Sequence, residues 1–154
     1  MDTPASRREW RTVNGKANFI VSHQRAVERE NQPAAALVLA TLRSHDQYNT
    51  TIYGLNDRYR GITGRRAVVF LSAQEAAARG LRPSDVFNVQ ALDDNVQPCA
   101  DRIMCGLTVV TYNMAEGSIG AYLPEANVLF SLNSVDKQSL TPDYKSVPVI
   151  HTQA

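Results

Sequence analysis

Residues 43–51 read RSHDQYNTT, and every side chain in the run can give or accept a hydrogen bond. The run directly follows an apolar stretch, ALVLATL. Such density suits a loop that grips a ring system rich in donors and acceptors through many neutral contacts. A solvated loop has the same composition, so the residues by themselves leave both readings open. Asn127 is a second such place, held in PEAN between apolar AYL and VLF. A turn or capping asparagine is its plain reading. Lys145 follows TPDY and opens the last apolar stretch. There a snorkelling surface lysine is the plain reading.

Other chemistries find less support. There is no G-x-S-x-G elbow, and Ser44, His45 and Asp46 are neighbours whose side chains point apart, so they do not make a triad. The GITGRR run at 61–66 lacks the phosphate-loop pattern. It is either a turn that positions a strand or a contact to an anion through arginine forks. Arg58, Arg60, Arg65 and Arg66, interleaved with Tyr48, Tyr53 and Tyr59, could form a basic aromatic patch. Asp46 and Asp57 lie in the same run and the formal charge is only +1, which favours a solvated surface over a nucleic-acid face. Cys99 and Cys105 have no second ligand pair for zinc, and an iron–sulfur cluster needs about four cysteines. They read as free thiols of a cytosolic protein, with no metal site.

The elements that must hold these residues fit one domain. At 154 residues the chain can bury a core without a disulfide or metal staple. Hydrophobic residues at 44% and charged residues at 20% describe an ordinary globular chain. No apolar run approaches the length of about 20 residues that a membrane helix requires. The first residues have no apolar segment of a secretory signal, so the expected location is cytoplasmic. Residues 1–33 read as an irregular leader with a turn at Asn14–Gly15 and the domain proper as 34–154. Strands are expected at 36–42, 67–71, 86–92, 103–110, 118–123, 128–132 and 145–150. The 86–92 strand alternates and should be half-buried, and Gly106 is a candidate bulge. Ser72 and Glu75 form a capping box for a short helix that Gly80 stops. Between 43 and 66 lie 24 residues with no sustained period, and a loop that long is usually functional. Six to seven short strands with short helices make a mainly β protein, and their spacing favours a closed barrel over a parallel sheet.

Four segments together carry a resemblance. LRSHDQYNTTIYGLNDRYRGITGRRAVVF, GLRPSDVFNV, AYLPEANVLFSL and TPDYKSVPV resemble the C-terminal domain of formate-dehydrogenase-like molybdopterin oxidoreductases. The likeness runs from about Trp10 to Ile150. It implies a double-psi β-barrel that covers a bis(molybdopterin guanine dinucleotide) cofactor, with molybdenum or tungsten, shared with other domains. It places cofactor contact on Arg43, Ser44, His45, Asp46, Asn49, Thr50, Asn127, Tyr144 and Lys145. It implies partners in the remaining domains or subunits of such an oxidoreductase, no nucleic acid, no membrane, and no turnover by this chain alone. One departure is local: Ser84-Asp85 stands where that family usually has Gly-Asp. Another is larger: nothing matches the iron–sulfur cysteines or the segment bearing the metal's protein ligand. The chain is therefore expected to be one domain of a larger enzyme or a subunit of it. The rival expectation is a free-standing barrel module for protein interaction or cofactor delivery.

Overall fold

The computed structural model describes residues 3–19, 33–45, 47, 53–136 and 139–152. Two compact units make up the chain, Met1–Gln32 and Pro33–Ala154. In the first, Thr3 caps a 3-10 helix, Pro4–Arg7, through a reciprocal pair of bonds with Ser6. Gly15 then turns the chain with φ +63°, its amide bonded to the Thr12 carbonyl.

The second unit is a closed barrel of six strands. These are β1 (Leu37–Leu42), β2 (Val68–Leu71), β3 (Val86–Leu92), β4 (Pro98–Thr111), β5 (Ser118–Tyr122) and β6 (Val147–Thr152). Around the barrel they run β1-β5-β2-β4-β3-β6. The β1/β5 and β2/β4 pairs are parallel and the other four antiparallel. Closure gives every strand a neighbour on both sides. With one short helix, α1 (Ala73–Ala78), and 3-10 turns, the fold is mainly β and consistent with a double-psi barrel. Among the described residues no helix is long and apolar enough to cross a membrane.

The alternating strands put one set of side chains inside. Leu37, Leu39, Val69, Leu71, Phe87, Val89, Leu107, Val109, Ile119, Ala121 and Val149 form the core, each at most 1% exposed. A smaller cluster lies on the other face of β2 and β5, where Val68, Phe70 and Tyr122 pack under Ile62. All four residues of β2 are therefore buried. This explains much of the long polar stretch before β2. Its second half folds over the barrel wall, with Asp57 and Ile62 bridged by main-chain bonds.

Four expectations change. Residues 128–132 do not form a strand. A 3-10 helix, Glu125–Leu129, takes their place, burying Ala126 and Leu129 at i,i+3 spacing and leaving Val128 outside. β3 is buried on nearly both faces rather than half-buried. Its polar residues are used internally: Asn88 Oδ1 accepts from the Gly106 amide and Gln90 donates to the Cys99 carbonyl. Those bonds serve the bulged strand β4, where Gly106 has φ +73° and the register with β3 shifts. β4 begins five residues earlier than expected, at Pro98 rather than 103. The capping box at α1 is only half made. Ser72 accepts from the Glu75 amide, but the Glu75 carboxylate takes Arg79 and the Gly117 amide instead. Gly80, at φ +67°, stops the helix as expected, with Leu81 bonded back to Ala76. Both cysteines are free, Cys99 buried and Cys105 exposed on β4.

Candidate functional site

The parallel pairing of β1 and β5 sets the site's geometry. Leu42 and Tyr122 are register partners at the carboxyl ends of these strands, and the Leu123 amide donates to the Leu42 carbonyl. The loops that follow, beginning with Arg43 and Leu123, leave the same end of the barrel. β6 runs antiparallel to β1, so the residues just before it arrive at that end too. There Thr41, 1% exposed, donates its amide and hydroxyl to the Tyr144 carbonyl. The Lys145 ammonium donates to the Thr41 carbonyl.

The structure brings Arg43, Ser44, His45, Tyr144 and Lys145 to this one end. Asn127 lies in the 3-10 helix beside it, with its side chain exposed. Asp46, Asn49 and Thr50 lie outside the described residues. Burial lowers the Lys145 pKa, and the nearby Arg43 charge lowers it further. Lys145 therefore lies within electrostatic reach of the Arg43 charge. His45 accepts at Nε2 from Arg58 at 2.6 Å and meets the Tyr59 ring edge-on at 4.0 Å. A guanidinium has only donors, so His45 Nε2 is the acceptor in this contact. Ser44 is different in kind. It is 5% exposed, and its hydroxyl accepts from Arg66 at 2.7 Å.

Two arginine–carboxylate pairs, each with one buried member, hold the loops, and sequence reasoning placed neither. Arg66, 6% exposed, forks onto Glu125 through Nε at 2.5 Å and Nη2 at 3.1 Å. It also donates to Ser44, Gly54 and Leu123. The second pair is Asp57 with Arg60, at 2.6 Å. Asp57 accepts as well from the Tyr122 hydroxyl at 2.8 Å and from the amides of Tyr59 and Arg60. Burial pushes the Asp57 carboxyl up, but the bonds from Tyr122 and Arg60 outweigh it and hold the pKa below the ordinary range. Burial and the same bond drive the Tyr122 phenol far above its usual value. The only sequence signal for these pairs was an acid lying among the arginines of NDRYRGITGRR. Arg60 and Arg66 therefore face carboxylates and are not open members of a basic patch. Among the described residues no cluster of histidines, cysteines and carboxylates could hold a metal ion.

What these features define is a six-stranded mixed barrel whose polar loops converge at the carboxyl ends of β1 and β5. No family model matches the chain. It is 45% identical over 145 residues to Protein YdeP of Escherichia coli (strain K12), covering 94% of this chain and 19% of that protein. It is 44% identical over 147 residues to Uncharacterized oxidoreductase Rv2900c of Mycobacterium tuberculosis (strain ATCC 25618 / H37Rv), covering 95% of this chain and 18% of that protein. The chain thus spans about a fifth of the length of the curated relatives it matches.

Proposed function

We propose that the chain is the domain of a molybdopterin oxidoreductase that covers and orients a bis(molybdopterin guanine dinucleotide) cofactor, in the manner of formate-dehydrogenase-like enzymes. The oxidoreductase role draws support from the name borne by the mycobacterial relative. The observation that carries the reading is convergence. Thr41 is joined to Tyr144 and Lys145 across sequence separations of 103 and 104 residues, so polar segments far apart in the chain meet at one barrel end.

The donor set suits such a group. Arg43 and Lys145 belong to two segments that meet at this barrel end, and cationic side chains there suit a pyrophosphate. The exposed Asn127 amide offers a donor and an acceptor together, as a pterin or guanine edge requires. His45 adds an imidazole at the same barrel end. The Ser44 hydroxyl is already taken by Arg66, so its part is to hold the loop. When bound, the molybdenum or tungsten centre would supply the redox chemistry. This chain's residues bind, orient and exclude water, and the remaining domains or subunits supply the rest of the site. Alone the chain has no turnover.

The experiment measures pterin retained per polypeptide in the assembled enzyme, by fluorescence after oxidative release. Arg43→Ala and Asn127→Ala should each lower retention several-fold, while Val86→Ala on an exposed strand position should not. Unchanged retention in both site variants would overturn the assignment.

A further inference from the structure

Arg66 makes more side-chain bonds than any other described residue, and they reach three separate segments. Its Nε and Nη2 grip the Glu125 carboxylate. Its Nη2 also donates to the Leu123 carbonyl at 3.0 Å and reaches Gln47 Oε1 at 3.4 Å. Its Nη1 donates to the Ser44 hydroxyl at 2.7 Å and to the Gly54 carbonyl at 3.3 Å. The guanidinium carbon lies 4.8 Å from the Tyr122 ring centroid and 5.3 Å from that of Tyr53. Gln47, 9% exposed, closes the circuit by donating to the Leu123 carbonyl while accepting from the Ser44 amide.

The two segments joined here carry the candidate ligand residues. Arg43, Ser44 and His45 belong to one, and Asn127, two residues beyond Glu125, to the other. Neither is held by a strand. The first leaves β1 at Leu42, and the second is a single 3-10 turn whose first-turn residue is Glu125. Arg66 itself is anchored, because it stands two residues before fully buried β2. A planar fork with five donors suits this task, and a lysine at the same place could satisfy only part of the array.

We infer that Arg66, through its bidentate pair with Glu125 and its bond to Ser44, is the positioning residue that fixes the spacing between the 43–47 segment and the 123–129 turn. The inference rests on the proposed function for its purpose, since it states how the two halves of that site keep their register. It does not rest on it for its geometry. Arg66 touches no ligand in this scheme and acts through Ser44 and Glu125.

Two measurements separate the inference from the reading beneath it. The first is amide hydrogen exchange on the chain itself, with Arg66→Lys, Glu125→Gln and the double variant. Each single change should speed exchange at 43–47 and 123–129 together by about tenfold or more, with β2 and β4 unchanged. The double variant should add little, because both changes break one coupled unit. Loosening of one segment only, or effects that add independently, would overturn the clasp. Glu125→Gln keeps a neutral acceptor and safeguards the test should Arg66→Lys fold poorly. The second is pterin content of the assembled enzyme carrying Glu125→Gln and, separately, Glu125→Asp. Glu125→Gln should lower content several-fold, and Glu125→Asp, which keeps the charge, should restore part of it. Loosened loops with full pterin content would refute the positioning role. Coupled loops in an enzyme that carries no pterin in any form would refute the cofactor reading and leave the clasp intact.

Discussion

Replacing Asp57 by asparagine changes one atom type and should cost about 3 kcal/mol. Asp57 is 1% exposed and its two oxygens accept from four donors. Oδ1 takes the amides of Tyr59 and Arg60, and Oδ2 takes Arg60 Nη1 and the Tyr122 hydroxyl. Whichever way an asparagine amide is turned, its NH2 meets two donors. If it faces Tyr122, the phenol can rotate to accept, but the Arg60 guanidinium loses its carboxylate and keeps only the Arg43 carbonyl. Breaking a buried ion pair by removing one member costs about 3–5 kcal/mol. The lower end applies because Arg60 is 23% exposed and can be partly resolvated. Tyr122→Phe removes one bond to a charged acceptor and should cost about 1.5 kcal/mol. The double variant should cost less than the sum, since the substituted amide no longer offers the phenol a full acceptor. Urea unfolding reads this directly. With a slope of about 2 kcal/mol/M, Asp57→Asn should move the midpoint down by about 1.5 M. The carboxyl pKa is lowered in the fold, so its stabilisation is fully present above the unfolded value of about 3.9 and is lost as pH falls through the folded value. The gap between wild type and Asp57→Asn should therefore be constant from pH 7 to 5 and close in stronger acid. A midpoint shift under about 0.3 M at pH 7 would refute the reasoning.

Two further outcomes are expected. Ser84 sits at φ +77° in the turn before β3, a left-handed conformation that costs a side-chain-bearing residue about 1–2 kcal/mol. Ser84→Gly should raise the melting temperature by about 2–4 °C, and a fall would show that the turn relieves the strain otherwise. His151 stacks on Phe87 at 4.2 Å, and burial, then the Arg79 charge, lowers its pKa. Its contribution is present above the unfolded value of about 6.5 and is lost as pH falls through the lower folded value. His151→Gln should flatten that loss in melting curves between pH 7 and 5, and an identical pH slope would exclude His151 as its source.

The barrel was legible wherever a local signal sufficed. ALVLATL, AVVFL and SIGAYL are short apolar runs, and β1, β2 and β5 lie within them. Ser72 and Gly80 bounded α1 because capping acts within a turn. What failed was non-local. The N-terminal part of β4, PCADR, alternates with too many polar residues to read as a strand, and only its pairing with β3 makes it one. VLFSL has strand composition, but burying Ala126 and Leu129 together requires a helical turn. The candidate site divides in the same way. Polar density marked 43–51, yet the Arg66 pair stayed hidden because Glu125 lies 59 residues away, and the burial of Asp57 stayed hidden because Tyr122 lies 65 away, though Arg60 is only three. The turn at Ser84 was not legible either: a serine gives no local signal for a left-handed backbone, yet it adopts φ +77°.

Hydrogen exchange of the assembled enzyme, purified from cells with and without the capacity to make the pterin, addresses the central claim. Cofactor cover at this barrel end predicts that amides at 43–45, 125–129 and 144–145 exchange more slowly in the pterin-containing form, while β3 is unaffected. Equal exchange at all three segments in the two preparations would contradict it.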